Sequence, residues 1–280
     1  TATRVRREVM TKDVLSLNPT QLGEAREVSH VAVQWVSKAA RANLTPEPDD
    51  SHSNFGWDAE NQALVSHVLD DDHHQMGFSF NSASMLWLEQ GSVVDRFPLE
   101  SADDSAIQQW CDQNLAKAGL SGTDNAEMPY SLEPKAQSLL RASLSELETL
   151  GHWFHLGFKA LTTLVDQFES VAVNSPTVRC WPHHYDVGTL FYLEAGNPEN
   201  AQSIGVGLSP GDESYPEPYF YCNPWPVPRS LVEVEGPLRW HTEGFTSLVL
   251  PASAMTNVGD IDGLLVDSFT TVQKTLATNR

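Results

Sequence analysis

Cysteine is scarce in this 280-residue chain. Cys111, Cys180 and Cys222 are odd in number, far apart and without a C-x-x-C spacing. That excludes a secreted disulfide framework and a four-cysteine zinc site, and it makes a reducing cytoplasm the expected compartment. Basic residues are few as well: 17 Lys and Arg stand against 37 Asp and Glu, a formal charge of −20. Such a chain repels nucleic acid and anionic membranes at long range, so neither is an expected partner. No apolar run approaches the roughly 18–20 residues that cross a bilayer. The basic start (Arg4, Arg6, Arg7) lacks the apolar stretch of a signal peptide and reads as a loose arm. A G-x-S-x-G elbow, a phosphate loop and a dinucleotide fingerprint are missing too.

What is present is 40% hydrophobic residues, enough to bury a sizeable core in one domain over 1–280, with a possible internal boundary near 174. Val28, Val31, Ala32, Trp35, Val36 and Ala39 recur at helical spacing and predict a helix over 19–43, capped by Asn18 or Thr20. Residues 62–97 predict a short meander, in which Asp70-Asp71-Asp72-His73-His74 forms a solvated hairpin end. A second helix is expected over 102–118. A third, over 132–171, is long enough that Gly151 and Gly157 are the natural places for a bend or break. His152 and His155 fall on that helix as hydrogen-bonded packing residues.

After Pro176 the character changes: eleven of the seventeen prolines lie between 176 and 251. Short strands fit Thr177–Trp181, Val187–Leu193, Gln202–Leu208, Tyr219–Cys222 and Thr246–Leu250, before a last helix over 260–277. In Gln202–Leu208, Ile204, Val206 and Leu208 alternate with Gly205 and Gly207, so one face is packed and the other is bare backbone. The expected class is α+β, with helices packed on a largely antiparallel sheet, a mostly helical first part and a strand-rich 176–251.

Chemistry-bearing residues concentrate in that second part. Read as an extended segment, Trp181-Pro182-His183-His184-Tyr185-Asp186 puts His184 and Asp186 on one face and His183 on the other. Imidazole and carboxylate both suit a divalent metal, zinc first, and His241 supplies a third ligand, leaving a position for an activated water. Glu213 is then the ligand or general base, and His183 the supporting acid or base. Without metal, an Asp-oriented histidine serves as general base, or the histidines simply cap a strand. Trp181, Tyr219, Tyr221 and Trp225 are expected to line a pocket, with Asn223-Pro224-Trp225-Pro226 leaving the strand on a polyproline-like path.

Together with Asp49-Asp50-Ser51-His52-Ser53-Asn54, Ser209-Pro210-Gly211-Asp212-Glu213 and Glu217-Pro218-Tyr219-Phe220-Tyr221, the Trp181–Asp186 string resembles a bacterial family of about this length, a domain of unknown function marked by Trp-Pro-His-His-(Phe/Tyr)-Asp. The resemblance spans nearly the whole chain. It implies one evolutionary unit and no activity.

Three functions follow as expectations. The first is a metal-assisted hydrolase or isomerase of a small polar molecule. The second is a non-catalytic binding protein for a small-molecule ligand, with an aromatic-lined pocket. In the third, the proline-aromatic surface joins two copies of the chain as a homodimer.

Overall fold

A computed structural model describes residues 22–101, 103–126, 143–197, 200–255 and 260–279. The basic arm, the caps expected at Asn18 or Thr20 and residues 132–142 of the long helix lie outside them. The class is α+β, as the patterning predicts, but with two antiparallel sheets instead of one. Among the described residues, no helix is long and apolar enough to cross a membrane.

The chain divides into two compact units. The first holds the described residues up to His155 together with Arg179–Tyr185, and the second holds Leu156–Val178 and the chain from Asp186 onward.

In the first unit, strands β1 (Gly56–Asp58), β2 (Ala63–Val65), β3 (His74–Ser79), β4 (Ser84–Glu89) and β5 (Ser92–Pro98) form a meander in sequence order. Helix α1 (Gly23–Asn43) lies against β3, burying Val28, Ala32, Trp35, Val36 and Ala39 of the stripe read from the sequence and leaving its Val31 half-exposed. Helix α2 (Asp104–Lys117) starts where the Asp103 carboxylate accepts the Ala106 N–H at 2.8 Å, an N-cap in the usual sense. The short strand β6 (Arg179–Trp181) bridges to this unit through Phe55 and Cys180, whose backbones exchange two hydrogen bonds of 2.9 Å.

Helix α3 (Leu144–Phe168) runs unbroken through both glycines, where a bend or break was expected. Their absent side chains serve packing instead. A Cβ at Gly151 would lie 2.6 Å from Phe80 Cβ in the first unit. One at Gly157 would lie 2.8 Å from Leu208 Cδ2 in the second. Both glycines let the helix approach its neighbour closely, which accounts for an unbroken helix with two breakers in it.

In the second unit, β7 (Asp186–Tyr192), β8 (Ser203–Ser209), β9 (Tyr219–Trp225), β10 (Arg239–His241) and β11 (Ser247–Pro251) pair in the order β10-β11-β9-β8-β7. Val187, Phe191, Ile204, Val206, Leu208, Phe220, Cys222, Leu248 and Leu250 are buried on one face. There α4 (Ile261–Thr278) packs, its Phe269 ring 4.8 Å from Phe191 and 4.4 Å from Phe168. Strand β9 does not give way to a polyproline path at Asn223. It continues opposite β8 with Pro224 facing Ile204, after its pairing with β11 has ended at Cys222. With β8 alone as its neighbour, the strand tolerates a residue that lacks an N–H.

Candidate functional site

The opposite face of the second sheet begins with an absence of side chains. Strand register sets Gly188 of β7 against Gly207 of β8, and Gly207 against Tyr221 of β9. The Tyr221 ring lies over this bare backbone. A Cβ at Gly207 would overlap the Tyr221 hydroxyl and come within 2.6 Å of the Val187 carbonyl, and one at Gly188 would stand 3.1 Å from the same hydroxyl. Having crossed β8, the Tyr221 hydroxyl donates to Asp186 Oδ2 at the start of β7. A hydrogen bond to a charged acceptor is worth about 1.5–3 kcal/mol.

Two residues back on the same face, Tyr219 donates to Asp212 Oδ2 at 2.6 Å. Asp212 is fixed by its own loop: Oδ1 accepts from the Ser214 and Tyr215 N–H groups at 2.8 and 3.0 Å, an Asx turn. The preceding Gly211, at φ 112°, takes a conformation that favours glycine. The turn delivers Tyr215, whose hydroxyl donates to His241 Nδ1 at 3.0 Å. In the neutral ring the direction follows from the other nitrogen: Nε2 lies 2.7 Å from the Glu243 carbonyl, which can only accept, so Nε2 carries the proton and Nδ1 accepts. The rings form a connected surface. Centroids of Tyr215 and Tyr219 lie 4.8 Å apart, those of Tyr219 and Tyr221 6.3 Å, and those of His241 and Phe245 4.1 Å.

Burial, then the carboxylates of Asp212 and Asp186, push the Tyr219 phenol well above its usual range. The face therefore offers a neutral phenol as donor beside two carboxylates. Of the residues predicted from sequence, Asp186, Tyr219, Tyr221 and His241 come together here, joined by Asp212 and Tyr215. Glu213 is exposed next to Asp212, and Trp225 is 45% exposed at the end of β9. Glu217 is occupied by Ser253, whose N–H and hydroxyl it accepts at 2.6 and 2.7 Å.

Trp181, His183 and His184 belong to the first unit, and their segment is not extended. Pro182–Tyr185 is a turn, with the Tyr185 N–H bonded to the Trp181 carbonyl at 2.7 Å and Tyr185 at φ 57°. His183 and His184, expected on opposite faces, instead touch with ring centroids 4.2 Å apart, and both are exposed. Helix α1 holds the turn from beneath. His30 Nε2 and Gln34 Nε2 donate to the Pro182 carbonyl at 2.7 and 3.0 Å, and His30 stacks on buried Tyr185 with centroids 4.6 Å apart and planes 7° apart. Much of the Trp-Pro-His-His-Tyr string is thus explained by how a turn docks on a helix.

The other polar strings resolve within the first unit. Asp50 pairs with Arg41 at 2.9 Å, and His67 Nε2 donates to Asn54 Oδ1 at 2.8 Å. At the acidic hairpin end, Asp71, Asp72 and His73 are exposed, and His74 Nδ1 bonds Asp70 at 2.6 Å. His155 Nδ1 accepts the Trp57 indole N–H at 3.1 Å, the packing role expected of it. A cleft of about 390 Å³ in the second unit, lined by Val171, Leu193, Gln202, Gln273, Lys274 and Ala277, holds none of the predicted residues. Among the described residues, no group of three or more His, Cys, Asp or Glu side chains is arranged to hold a metal.

Comparison with family models, with curated proteins and with solved structures gives no match for this chain.

Proposed function

We propose that this chain binds a small polar molecule on the tyrosine–aspartate face of its second unit. One observation carries the reading: three phenols on or beside one sheet face are each fixed by a specific partner, Tyr221 by Asp186, Tyr219 by Asp212 and Tyr215 by His241. Ring faces supply the apolar lining of a ligand site, and a few oriented polar groups supply its specificity. The two carboxylates would accept from ligand hydroxyl or ammonium groups, and an ammonium group would also be attracted to the ring faces.

The test is thermal shift against a panel of amines, polyols and small acids. A ligand at a hundred times its Kd stabilises by about 2.7 kcal/mol. A hit should be lost in Tyr221→Phe and Asp186→Asn. A hit that survives both substitutions would place binding elsewhere.

A metal-assisted hydrolase or isomerase, with Asp186 and His241 as ligands and Glu213 as base, is the second reading. It is favoured by the two carboxylates, Asp186 and Asp212, whose charges both act on Tyr219. Metal content of untagged protein, purified without chelator, separates the two. Close to one equivalent of zinc, lost in Asp186→Asn, supports the second; none, with a ligand hit, supports the first. Three buried thiols agree with a reducing, cytoplasmic setting, and the net charge of −20 with a partner other than nucleic acid.

A further inference from the structure

We propose that Arg179, in the first unit, anchors a binding site for a small oxyanion: the carboxylate or phosphoryl group of a small molecule. This site is separate from the tyrosine–aspartate face and does not rest on that reading.

Arg179 opens β6, and its guanidinium is half-buried. Gly56 of β1 makes the room: a Cβ there would stand 3.1 Å from Arg179 Nη1, so the guanidinium lies against bare strand backbone. The other arginines described in this part of the fold have polar partners. Arg41 Nη1 reaches Asp50 at 2.9 Å and Ser53 Oγ at 3.2 Å, and Arg96 Nη2 reaches Asn61 at 3.2 Å. Among the described residues, the Arg179 guanidinium makes neither an ion pair nor a hydrogen bond. Carboxylates are abundant, 37 in the chain, yet among the described residues none forms an ion pair with it.

A guanidinium keeps its charge in any protein setting, and partial burial without a counter-charge is unfavourable. Its planar fork matches a carboxylate or phosphoryl group in two parallel hydrogen bonds. The neighbouring imidazole reports on the charge at this place. His67 Nε2 donates to Asn54 Oδ1 and the Ser51 carbonyl at 2.8 and 3.1 Å, which leaves Nδ1 as the unprotonated nitrogen of the neutral ring. Burial and then the Arg179 charge favour that neutral form, with His52 acting in the same direction. An oxyanion on the guanidinium would cancel part of this field and make His67 easier to protonate. The overall charge of −20 opposes anion approach only at low salt, because at about 0.1 M it is screened beyond roughly 10 Å.

The experiment titrates sulfate, phosphate and acetate, each at fixed ionic strength, into the full chain while melting temperature and the His67 ring resonances are followed. Wild type should show a saturable rise in melting temperature and an upward shift of the His67 pKa. Arg179→Gln should bind about tenfold or more weakly, as expected for losing a charge-assisted pair. Gly56→Ala keeps the charge but crowds Nη1, so it should weaken binding while circular dichroism stays unchanged; it also serves as the test should Arg179→Gln fold poorly. A stronger response to acetate assigns a carboxylate ligand, and a stronger response to phosphate and sulfate a phosphoryl one. Equal responses in wild type and both variants, or no saturable response to any of the three ions, would overturn the proposal.

Discussion

Tyr221 and Asp186 sit on strands that are not neighbours, and their hydrogen bond crosses β8 at Gly207 and passes Gly188 of β7, neither of which carries a side chain. The contact exists because of those two glycines, so it can be tested without touching either partner.

Gly207→Ala should be the most damaging single-methyl substitution in the second sheet. The added carbon meets the Tyr221 ring and, at 2.6 Å, the Val187 carbonyl, which is backbone and cannot swing away. Overpacking of this kind costs about 1–3 kcal/mol, a fall of several degrees in melting temperature. An unchanged melting temperature would mean that the ring does not cross the strand there.

Two helical glycines should respond to alanine with opposite signs. Alanine is favoured over glycine in a helix by up to about 1 kcal/mol. At Gly263 of α4 nothing lies within 4 Å of the new methyl, so Gly263→Ala should raise stability. At Gly151 the methyl would meet buried Phe80 Cβ at 2.6 Å, and a packing cost of about 1–3 kcal/mol outweighs the propensity gain. Thermal melts of the two variants decide it, and stabilisation by Gly151→Ala would count against the close α3–Phe80 approach.

Alkaline stability should depend on Tyr219. Its phenol is held protonated by burial and by the adjacent carboxylates, so its folded pKa lies above the unfolded value of about 10. The associated stabilisation is whole below that pH and drains away as pH rises from there through the folded value. Wild type should therefore lose melting temperature above pH 10 faster than Tyr219→Phe does. Parallel curves would show a phenol open to base.

Acid should act through the half-buried imidazole beneath the Pro182 turn. Burial lowers the His30 pKa, against the opposing pull of its bond to the Pro182 carbonyl. A lowered folded pKa gives stability that is whole above the unfolded value, about 6.5, and is lost as pH falls through the folded one. His52 and His67 are shifted the same way, both chiefly by burial. Melts between neutral pH and pH 5 should show a decline in wild type that is shallower in His30→Gln, whose amide can still donate to Pro182. An identical slope would remove His30 from the account.

The parts of this fold that could be read from the sequence are those governed by local period. The α1 stripe, the alternation of β8 and its glycine face follow from spacing alone, and each appears where it was expected. What escaped depends on partners far along the chain. Pro182–Tyr185 reads as an extended segment, and the donors that dock it as a turn, His30 and Gln34, lie 152 and 148 residues away. Gly151 looks like a helix breaker until Phe80 is set against it. Asp186, Tyr219, Tyr221 and His241 were recognisable as polar or aromatic residues suited to a site. Their grouping comes from the register of β7, β8 and β9, and the prominence of Asp212 from an Asx turn whose hydrogen bonds no spacing rule specifies.

Burial raises the thiol pKa of both Cys111, on α2, and Cys222, in the middle strand of the second sheet. Alkylating reagents attack the thiolate, so neither residue should react until the structure around it opens. Of these two, Cys111 lies in the first unit and Cys222 in the second, and mass spectrometry can tell their peptides apart. The native protein thus carries a pair of internal clocks: relative rates of alkylation at Cys111 and Cys222 would time the opening of each unit separately, with no label or mutation introduced.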